Sequence, residues 1–240
     1  MALPKLSYPL FDVVIPSSNK KVKMRPFLVR EEKILLIAQS SGDPKQSLDA
    51  ITQVIESCFV DSVDIKTLTT FDIEYLFVKL RSKSVNNKIE ILYRDADDNE
   101  QYKIEINLDD VEIKKDTSHT NKIQLTNDMG IVMRYPPLDI ADKITQVETE
   151  VDLFFQLISV CIDQIYDEEK VYNISDYKTE EVEEFLSSLD VNAFKKIQKF
   201  FETTPKLYYE ASYKTKDGNT KKLVLQNLND FFTLGWAIIH

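Results

Sequence analysis

The pattern of hydrophobic and polar positions singles out the segment 69–84, where apolar residues recur with the period of an α-helix on two opposite faces. The residues of the first face, followed by those of the second, are Ile73, Leu76, Phe77 and Leu80, then Phe71, Tyr75 and Val78. A helix that is apolar on two sides normally packs between two surfaces. The pattern therefore predicts a helix over 69–84 at the centre of the hydrophobic core.

Shorter patterns predict the elements around this helix. Alternating residues and the turn at 16–19 predict a hairpin, and Asp43 followed by Pro44 is typical of a helix start. After residue 87 the period changes from 3.6 to 2, which predicts strands. In chain order the expected elements are a hairpin at 11–27, helices at 31–39 and 43–59, and strands at 88–94, 101–107, 122–125 and 131–135.

The second half returns to helical periodicity. An apolar stripe over 147–165 predicts a helix of about five turns. Thr179 and Asp190 are expected to cap two further helices, Asp217 and Gly218 predict the turn of a hairpin at 207–225, and a helical turn is expected at 228–232.

These elements predict an α+β fold with a helical core around 69–84. β-Hairpins are expected near the N-terminus, in the middle at about 88–135, and near the C-terminus at about 207–225. No segment has the length or composition of a flexible linker, so a single domain over 1–240 is expected. A subdivision into an α+β part at 1–137 and a helical part with a hairpin at 138–240 stays open.

The charge of the chain narrows the classes of partner. The net charge of −10 is spread along the sequence, and such a surface repels nucleic acid and anionic membranes. No apolar run approaches the ~20 residues that span a bilayer, and the first residues lack the pattern of a secretory signal. We therefore expect a protein of the cytoplasm, in which Cys58 and Cys161 are reduced thiols of the core.

The sequence lacks the residues that catalytic and metal-binding motifs require. No catalytic, cofactor-binding or metal-binding residue is therefore predicted. Two histidines and no paired cysteines leave a zinc site without ligands, and four scattered glycines exclude phosphate-binding loops. Asp95, Asp97 and Asn99 resemble the start of a calcium loop, but Glu100 and Ile106 stand where the motif needs Gly and Glu. A hydrolase that uses two of the 40 acids stays open as an alternative, although no pair stands out.

Apolar residues at the end of the chain are candidates for contact with a partner. Burial within the same domain is least assured at a chain end, and aromatic residues are enriched in protein interfaces. The candidate contact residues are Phe231, Phe232, Trp236, Ile238 and Ile239.

Several segments resemble one family in the same order along nearly the whole chain. They are Leu3-Pro4 with Leu6, the run Arg25 to Lys33, the run Phe71 to Phe77 with Leu80 to Val85, Met133 to Pro136, and Phe200-Phe201 with Thr204 to Leu207. These segments resemble the baseplate hub protein family of T-even-type contractile-tailed bacteriophages. Some relatives carry a Cys-Pro-x-Cys turn where Arg94 to Asn99 stands here, so the resemblance implies no metal in this chain.

The resemblance implies a non-enzymatic structural subunit of the tail baseplate hub, or an assembly chaperone that is absent from the mature virion. The implied partners are other hub or tail proteins, and self-association stays open. The implied location is the host cytoplasm during assembly and then the tail baseplate of the virion.

Overall fold

The computed structural model describes residues 7–136, 138, 140, 144 and 149–232. The fold is α+β, as predicted, with helices and small antiparallel sheets. The chain divides into two compact units: unit 1 comprises Met1–Ile65, Phe71–Lys114 and Lys206–His240, and unit 2 comprises Lys66–Thr70 and Lys115–Pro205. The single domain and its subdivision near residue 137 stay predictions, which limited proteolysis would test.

Unit 1 is built from segments that are far apart in sequence. Its helices are α1 (Val29–Ser41), α2 (Pro44–Cys58), α3 (Thr70–Ser84) and α7 (Leu228–Phe232). Its strands are β1 (Phe11–Val14), β2 (Lys21–Met24), β3 (Lys88–Arg94), β4 (Gln101–Asn107), β5 (Glu112–Lys114), β10 (Lys206–Lys214) and β11 (Thr220–Leu225). The β1–β2 and β3–β4 hairpins form separate ladders, and β10 lies between β11 and β5.

The central helix of unit 1 is α3, which is buried on both of its predicted faces. Ile73, Leu76, Phe77 and Leu80 on one face are fully buried. On the other face Val78 is fully buried and Phe71 is 5% exposed. The prediction of a two-sided helix is therefore confirmed, and Tyr75 is half-buried. A helix in this position fixes the surfaces that pack against it, because a change on either face disturbs a close-packed core.

The ends of α1 and α2 follow from local chemistry. Gly42 adopts a left-handed φ of 67° after α1, a conformation that glycine reaches without steric cost. Asp43 then caps α2, and its carboxylate accepts a hydrogen bond from the backbone N–H of Lys45 at 2.9 Å. The Gln46 side chain donates to the same carboxylate. The two helices are thus joined by a connection of two residues.

The described residues of unit 2 form one antiparallel sheet and the helices around it. Its sheet has the strand order β6 (Lys122–Gln124), β7 (Gly130–Met133), β8 (Ile162–Tyr166) and β9 (Val171–Asn173), and its helices are α4 (Glu150–Cys161), α5 (Thr179–Ser187) and α6 (Val191–Glu202). Strand and helix residues share one apolar core, which includes Ile131, Met133, Ile158, Ile162, Leu186 and Ile197.

The five-turn helix that the apolar stripe predicts over 147–165 is wrong at its C-terminal end. Helix α4 ends at Cys161, and β8 begins at the next residue. Residues 162–166 pair with β7, with Ile131 opposite Ile165. Apolar residues at 158, 161, 162 and 165 fit a helical face, but ladder hydrogen bonds with a distant strand determine the structure of the last two.

A close approach in the same sheet requires a glycine. A Cβ atom at Gly130 would overlap the phenol end of Tyr166, and it would lie 2.8 Å from the backbone carbonyl oxygen of Ile123. The absence of a side chain therefore lets the neighbouring strands pack against each other at this position.

Candidate interaction surface

Asp72 and Ser84, two residues of α3 that belong to the resembling segments, attach other segments of the chain to this helix. Ser17 donates its backbone N–H to the buried carboxylate of Asp72 at 2.9 Å, and Phe27 donates its backbone N–H to the hydroxyl of Ser84 at 2.9 Å. These contacts attach the N-terminal hairpin and the segment before α1 to one helix. They satisfy polar groups that would otherwise be costly to bury.

A second set of contacts joins α3 to the turn after β4. The ammonium group of Lys79 donates to the carbonyl oxygens of Leu108, Asp109 and Val111 at 3.2, 2.7 and 2.8 Å. The carboxylate of Asp109 accepts hydrogen bonds from Ser82 at 2.6 Å and from Lys83 at 2.9 Å. The Ser82 hydrogen bond, followed by the Lys83 ammonium group, lowers the pKa of Asp109 to about 2. Lys79 and Lys83 of α3 therefore form their hydrogen bonds with groups within unit 1.

The run Arg25 to Lys33 forms a third structural cluster around Glu31, which is only 3% exposed. The Glu31 carboxylate accepts hydrogen bonds from Arg25 at 2.9 Å, from Arg30 at 2.6 Å and from the backbone N–H of Leu28 at 2.8 Å. Burial opposes ionisation of this group, but the hydrogen bonds of Arg25, Arg30 and Leu28 lower its pKa to about 2. Arg25 also donates to the carbonyl oxygen of Ser57, which links β2 to the end of α2.

The polar turn that resembles a calcium loop is an attachment point within unit 1. Asp95 is buried and accepts hydrogen bonds from Lys221 at 2.7 Å, from Tyr213 at 2.8 Å and from the backbone N–H of Asp97 at 3.0 Å. The Lys221 hydrogen bond is the largest of the effects that lower the pKa of Asp95 to about 2. An ammonium group therefore lies where a calcium ion would need to bind. Among the described residues, no group of three or more His, Cys, Asp or Glu could hold a metal ion.

Exposed apolar side chains lie on the outer face of α1. Val29 is 80% exposed, Ile37 is 59% exposed and Leu36 is 40% exposed, and helical spacing places them in one stripe with Lys33 and Ser40. We call these five residues the α1 face. The opposite side of α1 carries Glu31, Leu35 and Ala38, which are buried.

An open groove of about 410 Å³ adjoins the α1 face. Val29 belongs to both, and Tyr8, Phe27 and Val85 also line the groove. Val85 is 50% exposed and Tyr8 is 38% exposed. The apolar surface therefore continues from the start of α1 into a concavity, an arrangement typical of a protein contact site.

In a comparison with protein-family models, the model described as T4 bacteriophage base plate protein matches residues 8–233. The chain belongs to this family. No curated protein and no solved structure matches the chain. The matched range includes residues of both compact units.

Of the five candidate contact residues near the end of the chain, Phe231 is the one whose side chain the structure describes. Phe231 is fully buried, and its ring packs edge-to-face on Tyr209 at a centroid distance of 6.5 Å. Its contact with a partner stays a prediction. The side chain of Phe232 and all of Trp236, Ile238 and Ile239 lie outside the described residues, and their contact role stays a prediction.

The α1 face is the feature that the sequence reasoning missed. The sequence feature that indicates an exposed apolar face is the run Ile34 to Ala38, because five consecutive apolar residues of a helix cannot all point to one side. The base plate protein buries Leu35 and Ala38 of this run and exposes Leu36 and Ile37.

No helix in the described part of the chain has the length and apolar character needed to cross a membrane.

Proposed function

We propose that this base plate protein is a non-enzymatic structural subunit of the central hub of the phage tail baseplate. It acts through protein–protein contact, and the α1 face with its adjoining groove is the contact surface. Membership of the base plate family supports a role in the phage baseplate. The observation that carries the proposal is the exposure of Val29, Leu36 and Ile37 in one stripe.

The physical argument is the cost of leaving such a stripe in water. Burial of apolar surface contributes about 25 cal/mol per Å², so covering three large aliphatic side chains stabilises a complex by several kcal/mol before the entropic cost of association. The exposed polar residues of the α1 face are Lys33, which lies between Val29 and Leu36, and Ser40 at its C-terminal end. The net charge of −10 keeps the free subunit soluble before assembly.

Quantitative mass spectrometry of purified tails tests this role. A structural subunit should be present at a fixed ratio to the other baseplate proteins. An assembly chaperone would be abundant in infected cells and absent from purified tails, and that result would contradict the proposal. Catalytic turnover of glycan or peptidoglycan substrates by the purified chain would also contradict it.

Variants of the α1 face test the surface itself. Ile37→Glu places a charge in the centre of the stripe and should prevent incorporation into tails, because an unpaired charge is costly in an interface. Gln53→Glu is the matched control, since Gln53 is an exposed residue of α2. Both variants should fold, because neither site is buried. Equal incorporation of the two variants would place the contact surface elsewhere.

A further inference from the structure

Unit 2 contains an apolar groove of its own, with a volume of about 290 Å³. Its apolar lining comes from β8, β9, the turn after β9 and α5, and includes Ile165, Tyr172, Ile174, Tyr177, Val182 and Phe185. Asp167 and Glu181 are the charged residues among its lining. The volume is sufficient for one or two large apolar side chains.

The aromatic wall of this groove is held in a fixed position. The Tyr172 hydroxyl donates to the carboxylate of Asp167 at 2.9 Å, and that carboxylate also accepts the backbone N–H groups of Glu169 and Lys170. The Tyr172 hydrogen bond is the largest of the effects that lower the pKa of Asp167, which stays ionised at neutral pH. The rings of Tyr172 and Tyr177 lie 6.3 Å apart, and Tyr177 is 40% exposed. A groove with walls fixed in this way loses little entropy when a ligand enters.

The stretch of chain that supplies most of the groove's lining is rich in acids. The stretch 163–184, which supplies most of the lining, contains nine acids and two lysines. This stretch therefore supplies seven of the ten net negative charges of the chain. One of the two lysines, Lys170, lies over the ring of Tyr172 at 4.8 Å. Such a field attracts cations and repels phosphate groups.

We propose that this groove binds a segment of another protein in which a large apolar side chain is flanked by lysine or arginine. The apolar side chain enters the groove and packs against the rings of Tyr172 and Tyr177. The flanking cations pair with Asp167 and Glu181 at its rim. The carboxylates give orientation and a faster association, and the apolar contact gives most of the affinity. The proposal uses the proposed function in one respect, which is that the partner is a protein.

The test is a binding measurement on the full purified chain by fluorescence anisotropy. The probe is a labelled synthetic peptide in which a Trp-Leu pair is flanked on each side by two lysines, and a second peptide carries glutamates in place of the lysines. We expect the lysine peptide to bind and the glutamate peptide to bind at least about tenfold more weakly. Raising the salt from about 0.05 M to about 0.5 M should weaken the lysine peptide further.

Three variants locate the site. Tyr177→Ala removes part of the apolar wall, and Glu181→Gln removes a rim charge but keeps an acceptor for the backbone N–H of Lys178, which bonds to Glu181 at 2.9 Å. Each should weaken the lysine peptide by about tenfold. Leu92→Ala is the matched control, because Leu92 is an apolar residue of β3 in unit 1 that is 44% exposed, and it should leave binding unchanged.

The proposal is overturned if neither peptide binds, if both bind equally, or if Tyr177→Ala has no effect. Self-association of the wild-type chain that Tyr177→Ala abolishes would assign the groove to a second copy and would also overturn it. The peptide result does not depend on whether the chain is found in purified tails. Failure of the hub role and failure of this groove are therefore distinguishable.

Discussion

Glu74 of α3 carries the clearest prediction about pH. Its carboxylate is largely enclosed, and one oxygen lies 3.5 Å from the backbone nitrogen of Leu228 at the start of α7. Burial raises the pKa of Glu74 to about 7, the Leu228 N–H opposes this shift, and the nearby Asp230 adds to it. We predict that Glu74→Gln stabilises the protein at neutral and alkaline pH.

The sign follows from the difference between the folded and unfolded states. The pKa of Glu74 rises from 4.5 in the unfolded chain to about 7 in the folded one, so the folded protein keeps a proton that the unfolded chain releases. The free energy of unfolding therefore falls as pH rises from about 4.5 to about 7. At 1.36 kcal/mol per pKa unit, the full shift amounts to about 3 kcal/mol, and partial solvent access reduces the expected gain to about 2 kcal/mol at pH 8.

Urea denaturation followed by circular dichroism at several pH values measures this effect. The gain from Glu74→Gln should be about 2 kcal/mol at about pH 8 and close to zero at about pH 4.5. Glu56→Gln, at an exposed position of α2, is the control and should change stability by less than about 0.5 kcal/mol at any pH. A gain that is the same at all pH values, or a loss at pH 8, would refute the reasoning.

Three further predictions concern the two cores. Leu76→Asp places an unpaired carboxylate at a fully buried position of α3 and should abolish the cooperative thermal transition seen by circular dichroism, whereas Leu76→Met should keep it. Gly130→Ala should cost about 1–3 kcal/mol in urea denaturation because the new Cβ overlaps Tyr166; an unchanged midpoint would contradict the close approach. Burial lowers the pKa of His119 below 6.5, so its contribution to stability is present above that pH and is lost below it. His119→Asn should therefore destabilise more at about pH 7.5 than at about pH 5, and an equal loss at both would contradict the shift.

Local chemistry made several elements predictable from the sequence. Asp43 and Pro44 start α2, and Asp190 caps α6 by accepting the backbone N–H of Ala193 at 2.7 Å. Asp217 and Gly218 form the turn between β10 and β11, where Gly218 has a φ of 82°. In each case the residues that specify the element are its own neighbours in sequence, so no distant contact is needed to predict it.

Other features depend on residues that are distant in sequence. The start of β8 at Ile162 is set by pairing with β7, and strand β5 exists because Ile113 pairs with Leu207 of β10. The ion pair between Asp95 and Lys221 joins positions 126 residues apart. Composition and periodicity contain no information about such pairs. The sequence therefore predicts a turn at Asp95 but does not predict that Asp95 pairs with Lys221.

The candidate contact surfaces also could not be located from the sequence alone. Periodicity shows that the α1 run 34–38 cannot be buried on every side, but it does not tell which of its residues face solvent. Aromatic content and position favoured the chain end as a contact site, and neither shows that Phe231 packs on Tyr209. The groove of unit 2 takes its lining from β8, β9, the turn after β9 and α5, which come together only in the folded unit.

The most direct test of the account is the accessibility of the α1 face before and after assembly. Cys58 and Cys161, the native cysteines of the chain, are fully buried, so a cysteine introduced at position 37 is the reactive thiol in Ile37→Cys. Its labelling by a maleimide should be fast in the free protein and at least about tenfold slower in purified baseplates, with Gln53→Cys as the exposed reference. Equal labelling of Ile37→Cys in the free protein and in baseplates would contradict a contact through the α1 face.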